Sequence, residues 1–356
     1  MLEANLLSYP NVHEAVLYQT LPNKKVECGT CERRCVIAED QLGFCKTRQN
    51  IDGRLYTLVY GDISTSSANP IEKKPFFHFW PGSYALTIGT WSCNFTCLWC
   101  QNFDITKFPP NPRKATYISP KKLIDITLRE QCQGTSISFN EPTLLFEYSL
   151  DVFRLARSKS LYNTYVSNGY LTLEALRMLK DAGLDAIKFD VKGDKEAYQK
   201  YCGADVSIVW RNVAEAKKLG LHTEIVALVI PGVNDDEACI TEIVHRHIEA
   251  AGPQTPLHFT QYYPAYKFTA PRTPVKTLEN AHKIAKREGA QYVYVGNVPG
   301  HELENTYCQR CGHLLIERFG FQVLKYRLTR DKGCPQCGEK IPIVGEYVRS
   351  IRSFLV

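Results

Sequence analysis

The stretch "YALTIGTWSCNFTCLWCQN" (residues 84–102) runs from an apolar, β-rich segment straight into three cysteines, Cys93, Cys97 and Cys100. Three thiolates within eight positions can hold a metal, but they are one short of closing a four-coordinate shell. On a loop that follows the first strand of an α/β core, such a set can hold three irons of a [4Fe–4S] cluster and leave the fourth iron without a protein ligand. Zinc completed by a distant ligand, or three unrelated cysteines, is the plainer alternative.

From about residue 84 to 298, short β-rich runs alternate with amphipathic helical patterns. The strand candidates are "YALTIGT" (84–90), "TSISFN" (135–140), "NTYVSN" (163–168), "DAIKFDV" (185–191), "TEIVALVI" (223–230), "LHFTQYY" (257–263) and "YVYVGNV" (292–298). Helical patterns include "TLLFEYSLDVFRLARSKS" (143–160), "LTLEALRMLKDAG" (171–183) and "TLENAHKIAKREGA" (277–290), with Gly183 and Gly289 at their C-terminal ends. A glycine there is free to go left-handed and stop the helix. Apolar strands alternating with helices predict a parallel sheet covered by helices. Six or seven repeats point to a full or partial α/β barrel, or to a doubly wound sheet.

Composition sets the frame. The 356 residues are 44% hydrophobic and 22% charged, the balance of a globular chain. No apolar run approaches the roughly 18 residues a membrane helix needs. The start, "MLEANLLSYPNVHEAV", lacks a basic segment followed by an apolar one, so no signal peptide is expected and the cytoplasm is the expected compartment. A net charge of +6 from 43 basic and 37 acidic side chains permits an anionic partner without arguing for one. Of 14 cysteines, eleven fall in three groups at 28–45, 93–100 and 308–337. In a reducing compartment, grouped cysteines read as metal ligands. Cys132, Cys202 and Cys239 stand alone in apolar or helical patterns and read as packing residues. There is no low-complexity tract and no internal repeat.

The flanks differ from the core, which suggests three units: a Cys-bearing N-terminal region (1–83), an α/β core (84–300) and a small C-terminal module (301–356). In the last, "CQRC" and "CPQC" place Cys308, Cys311, Cys334 and Cys337 as two Cys-x-x-Cys turns separated by 22 residues, each followed by Gly. Two such turns complete a tetrahedral Zn²⁺ shell, and the strand-like "LLIERFGFQVLKYRL" between them makes a zinc ribbon the economical reading. No long helix is expected before "EYVRSIRSFL". A module this small needs such a staple to fold. Its nine basic and six acidic side chains, with Phe319, Phe321 and Tyr326 among them, form only a weak nucleic-acid pattern. In the N-terminal region, Cys28, Cys31, Cys35 and Cys45 fit one metal centre, either zinc held by four thiolates or an auxiliary iron–sulfur cluster.

The central triplet, with aromatic Trp99 before its third cysteine, resembles the CxxxCxΦC motif of radical S-adenosylmethionine (SAM) enzymes. That resemblance implies a (β/α)6-type partial barrel in which the amino and carboxylate groups of SAM chelate the unique iron. "SFNEPT" (138–143) looks like the "GGEP" motif that binds the SAM amine, with Glu141 and Pro142 matching and Asn140 in place of the second Gly. "VSNGY" (166–170) resembles the SAM-ribose segment "TNG" of pyruvate formate-lyase activating enzyme, "FDVKGD" (189–194) its "DLK" stretch and "VIPGVNDD" (229–236) its "VPG" segment. The chain departs from the activase at "TQYYPAY" (260–266), where the activase carries a His after "PY". With "NPIEKKPFFHFWPGS" (69–83) and "NVPGHELENTYC" (297–308), nearly the whole chain resembles the AmmeMemoRadiSam system radical SAM enzymes, a branch labelled pyruvate formate-lyase activating enzyme-like.

The resemblance implies reductive cleavage of SAM to methionine and a 5′-deoxyadenosyl radical that takes hydrogen from an unidentified substrate, a protein or peptide among the candidates. Glu141 and Asn140 would orient SAM, with Ser167, Asn168, Asp190 and Lys192 on the same strand-end face; ordinary strand-end polar residues are the plainer reading. A glycyl-radical enzyme activase is the second reading, and a zinc-ribbon nucleic-acid-binding or RNA-modifying protein, disfavoured by the weak charge, is the third. Implied partners are a one-electron donor such as ferredoxin or flavodoxin, and Memo-like or AMMECR-type proteins.

Overall fold

The computed structural model describes residues 6–349. The N-terminal segment forms six short strands: β1 (His13–Glu14), β2 (Tyr18–Thr20), β3 (Val26–Cys28), β4 (Val36–Ile37), β5 (Arg48–Ile51) and β6 (Arg54–Thr57). They pair antiparallel as two sheets, β1-β6-β5 and β2-β3-β4. Strands this short cannot hold by themselves. Ala15, Val26, Cys28, Ile37 and Leu55 bury one side as a small core. From β5, Arg48 donates to both oxygens of Glu147, at 2.9 and 2.8 Å, and both side chains are buried.

An eight-stranded sheet follows: β7 (Thr65–Pro70), β8 (Tyr84–Gly89), β9 (Gly134–Ile137), β10 (Tyr162–Ser167), β11 (Ala186–Val191), β12 (His222–Val229), β13 (Leu257–Gln261) and β14 (Val293–Gly296). Its strands lie in sequence order from β7 to β14. The pairings β8/β9, β9/β10, β12/β13 and β13/β14 are parallel. Every residue of β8, β9 and β13 is buried, and β8 and β9 accordingly read as apolar or small throughout rather than alternating. Helices at Pro120–Arg129, Phe146–Arg157, Leu173–Ala182, Val206–Lys218, Glu237–Ala251 and Val275–Arg287 link the strands. Ser119, Thr172, Asp205 and Asp236 cap four of them by accepting first-turn N–H groups. Gly183 ends its helix in the left-handed region, at φ +116°.

Three sequence expectations need correction. The helix expected over 143–160 is shorter, Phe146–Arg157, because Pro142–Leu145 forms a separate 3₁₀ turn. The strand expected over 135–140 stops at Ile137, since Phe139 takes φ +65°. The run expected over 257–263 leaves the sheet after Gln261, where Thr273 Oγ1 takes the N–H of Tyr262. The polar "TSSANP" of β7 escaped notice because low β-propensity and a terminal Pro hide an edge strand.

The chain divides into two compact units, Met1–Ala68 with Ala85–Ile187, and Asn69–Tyr84 with Lys188–Val356. In the second, β15 (Thr306–Tyr307), β16 (Leu314–Phe319) and β17 (Gln322–Tyr326) form an antiparallel sheet. Its Leu315 and Ile316 share one core with Phe77, Tyr292, Tyr294, Ile341 and Ile343. Glu346–Arg349 carries no helix, and the rest of that tail lies outside the described residues. The "FFHFW" segment is held by buried Glu224 on β12, which accepts from Phe77 N at 3.0 Å and His78 N at 2.8 Å. Nε2 of His222 and Nε2 of His258 lie 2.9 and 2.7 Å from the same carboxylate. Arg318 lies over the Phe77 ring, 4.2 Å from its centroid, and donates to the Phe77 carbonyl and to Thr306.

Burial opposes ionisation of Glu224, but the hydrogen bonds of His222 and His258 outweigh it and hold the carboxyl well below the usual carboxylate range. A depressed carboxylate contributes stability that is complete above its unfolded value of about 4.3 and lost as the pH falls through the folded one. Replacing Glu224 by Gln should therefore lower the thermal midpoint at about pH 7 and flatten the loss of stability below about pH 4. Thermal unfolding across that range checks it; an unchanged acid slope removes Glu224 from the acid-sensitive groups.

Candidate metal and cofactor site

The cysteine loop leaves β8 at a point where the neighbouring backbone leaves little room for a side chain. A Cβ on Gly89 would lie 3.0 Å from Phe139 Cβ and from the Ser138 carbonyl oxygen, so the loops after β8 and β9 approach through that glycine. Asn140 then ties the start of the cysteine loop: its Oδ1 accepts from Thr90 N at 3.1 Å and its Nδ2 donates to Ser92 O at 3.0 Å. Asn102 ties the far end by donating to Phe139 O at 2.6 Å. Ser92 sits at φ +68° with its N–H on Ile105 O at 2.8 Å, which turns the chain ahead of Cys93. The loop is thus anchored on both sides of the three thiols.

Cys97 and Trp99 are buried, whereas Cys93 and Cys100 are partly open. Cys93 Sγ accepts from Phe95 N at 3.4 Å and lies 3.9 Å from Asn168 Nδ2. Cys100 Sγ is 3.0 Å from the Thr106 hydroxyl. Burial pushes the Cys93 thiol up to about 12, with the Glu141 carboxylate and the Cys97 and Cys100 thiols adding to the rise. Ionised thiols on one short loop repel one another until a cation joins them, and donors aimed at sulfur are what an iron–sulfur site uses to tune its charge. The residues present fit such a cluster.

Glu141 is buried at the centre of the neighbouring contacts. Its Oε1 accepts from Thr143 N, Thr143 Oγ1 and Ser167 Oγ at 3.1, 2.5 and 2.8 Å, and its Oε2 from Asn168 N at 2.8 Å. Burial raises its pKa against the pull of those donors. Asn168 Nδ2 also donates to Asn94 Oδ1 at 2.8 Å, so the loops after β8, β9 and β10 meet through Asn94, Glu141 and Asn168. In the second unit, Asp190 at the end of β11 pairs with Lys188. Burial opposes its charge, but Lys188 and then Lys192 hold its carboxyl below the usual range.

The other cysteine sets differ in geometry. Cys308, Cys311, Cys334 and Cys337 bring their sulfurs within 4.8 Å of one another, with Cys308–Cys337 at 3.5 Å and Cys311–Cys334 at 3.6 Å. Each Cys-x-x-Cys turn is closed the same way, by Gly312 N on Cys308 O and Gly338 N on Cys334 O, both at 2.9 Å. Cys28, Cys31, Cys35 and Cys45 instead line one recess in the first unit, with Arg33, Phe44 and Arg48.

The Cys93 loop, Glu141 and Asn168 sit inside a recognised stretch: residues 88–241 match the radical SAM superfamily. An uncharacterised protein of Methanocaldococcus jannaschii is 42% identical over 335 residues, covering 94% of this chain and 100% of its own. The chain carries a radical SAM superfamily domain. A radical SAM protein is an enzyme, and membership implies SAM and a [4Fe–4S] cluster. A probable GTP 3′,8-cyclase of Pyrobaculum aerophilum is 28% identical over 199 residues, 53% of this chain and 61% of that one. A solved radical SAM methyltransferase from Sphaerobacter thermophilus is 12% identical with a TM-score of 0.47, covering 82% of this chain and 80% of that one. Among the described residues no helix is long and apolar enough to cross a membrane.

Sequence reasoning missed Asn94, Asn102 and Thr106. Asn94 and Asn102 lie within the quoted stretch and Thr106 just beyond it, but nothing in their spacing marks them; the partners of Asn94 and Asn102 arrive from other loops. Asn140→Ala would leave Thr90 N and Ser92 O without their side-chain partner, at a cost of about 1–3 kcal/mol per buried group. The radical SAM cluster should then be lost to an iron chelator several-fold faster than from the wild type. Equal rates would mean that the asparagine does not secure the loop.

Proposed function

We propose that Cys93, Cys97 and Cys100 hold the [4Fe–4S] cluster of this radical SAM enzyme, with SAM completing it, and that the enzyme removes a hydrogen atom from a C–H bond of a protein or peptide. The observation that carries the reading is the triplet loop itself. It is anchored at both ends, supplied with donors to sulfur, and adjoined by a buried carboxylate. When bound, the cluster and SAM supply one-electron cleavage of SAM to methionine and a 5′-deoxyadenosyl radical.

The chain's own residues then have definable tasks. Glu141 Oε1 is saturated by three donors, while Oε2 takes only Asn168 N, which leaves it an open lone pair for the SAM amine. Ser167 and Asn168 hold that carboxylate in place. Trp99 is the buried aromatic side chain of the loop. Phe103 and Phe108, just after Cys100, expose apolar rings suited to a macromolecular substrate. The C-terminal thiols fit Zn²⁺: a tetrahedral ion with bonds of about 2.3 Å sets sulfurs about 3.8 Å apart, near the spacing found. Four protein ligands leave no open position, so that zinc is structural.

Replacing Cys93, Cys97 and Cys100 by Ala should abolish 5′-deoxyadenosine formation from SAM under a low-potential reductant, read by chromatography. Retained formation would remove the triplet from the reaction. Glu141→Gln should weaken SAM binding by roughly tenfold, as loss of one charged hydrogen bond does, without loss of iron. Equilibrium dialysis of labelled SAM checks it, and unchanged affinity would take Glu141 out of the SAM site.

A further inference from the structure

We infer that Cys28, Cys31, Cys35 and Cys45 hold a second iron–sulfur cluster, of the four-iron kind, placed against the Cys93 loop to exchange single electrons. The inference rests on the reading of the Cys93 triplet as the SAM-cluster site. The four thiols line a common recess, and three of them are buried. One zinc ion with bonds of about 2.3 Å cannot touch sulfurs more than about 4.6 Å apart. Among the described residues, the C-terminal four are the set whose ligand atoms gather within 4.8 Å. The N-terminal four line a common recess without belonging to that set, an arrangement that suits one thiolate on each of four irons.

The surroundings ask for an anionic group with acceptors of its own. Phe44 N donates to Cys35 Sγ at 3.5 Å, and the Thr47 hydroxyl lies 3.1 Å from Cys45 Sγ. Arg33, which lines the recess, keeps its Nη2 buried with no acceptor. Asn94, 0% exposed, sets its side chain against the Cys31 thiol. Leaving a buried donor unmade costs about 1–3 kcal/mol. Cluster sulfides in the recess would accept from Arg33 Nη2.

The recess is also fastened to the SAM-cluster loop. Arg33 Nε donates to Asn94 O at 2.9 Å, and Asn94 precedes Phe95 and follows Cys93. Glu32 N donates to Tyr170 O at 2.9 Å, and Thr172 Oγ1 donates to Gly29 O at 2.8 Å, docking the first cysteine turn on the segment that carries Asn168. Asn94 therefore contacts Cys31 on one side and Asn168 on the other. With all four irons held by protein, no position is open to a substrate, so the chemistry available is electron exchange. A low-potential one-electron donor takes the cluster from its 2+ to its 1+ state. The cluster returns to 2+ when it passes that electron on, with no bond made or broken.

The test uses the full chain with Cys93, Cys97 and Cys100 all replaced by Ala, reconstituted anaerobically with iron and sulfide. It should keep about four iron and four sulfide per chain and give an electron paramagnetic resonance signal on reduction with dithionite. Zinc in place of iron, or iron with no signal after reduction, overturns the inference. Iron present in the wild type but absent from this variant also overturns it while the SAM-cluster reading stands. Equal iron in both chains sinks the SAM-cluster reading instead. Cys31→Ser with Cys45→Ser in the otherwise intact chain should lower iron from about eight to about four; an unchanged count overturns the inference, and if this variant fails to fold the first one decides.

Discussion

The double hydrogen bond from the Asn140 side chain to Thr90 and Ser92 is the constraint on which the site depends. The Cys-rich loop buries Phe95 and Trp99, but that packing does not fix where its ends lie. Its form comes from outside, through Asn140 at one end and Asn102 at the other. This explains why β9 stops at Ile137 and why Phe139 adopts positive φ: the chain leaves the sheet so that Asn140 can face the neighbouring loop. It also explains Gly89, since any side chain there would hold the two loops apart.

Around that anchor the first unit uses buried polar groups to set relationships that apolar packing would leave loose. Glu141 and Asn168 fix the loops after β9 and β10 relative to the thiols, and Arg48 with Glu147 fixes the N-terminal sheets on the helix Phe146–Arg157. Such groups are costly to bury singly and tolerable only when paired in full. Their value is positional: a metal ligand displaced by an ångström is no longer a ligand.

The second unit uses the same device for a different end. Glu224 gathers two backbone N–H groups and two histidines, while Arg318 joins the Phe77 carbonyl to Thr306. The aromatic "FFHFW" segment, conspicuous in the sequence, is thereby a structural insert: Phe77 packs with Leu315 and Ile316 of the small sheet. The C-terminal sheet shares its core with Tyr292 and Tyr294, so it is held by packing on the rest of the second unit.

Much was legible before any coordinates. Cysteine spacing is local, so the three sets, the two matched Cys-x-x-Cys turns and the parallel α/β pattern could be read directly, as could Gly183 at its helix end. What the sequence could not supply were contacts between residues far apart in the chain. Asn94 meeting Asn168 spans 74 positions, and Arg48 meeting Glu147 spans 99. Spacing read the C-terminal four as a zinc site but left the N-terminal four open between zinc and a cluster. The donors around the N-terminal thiols depend on how the first cysteine turn docks on Tyr170 and Thr172. Local spacing selects the chemistry of a ligand; only tertiary contacts set how far apart the ligands stand and what surrounds them.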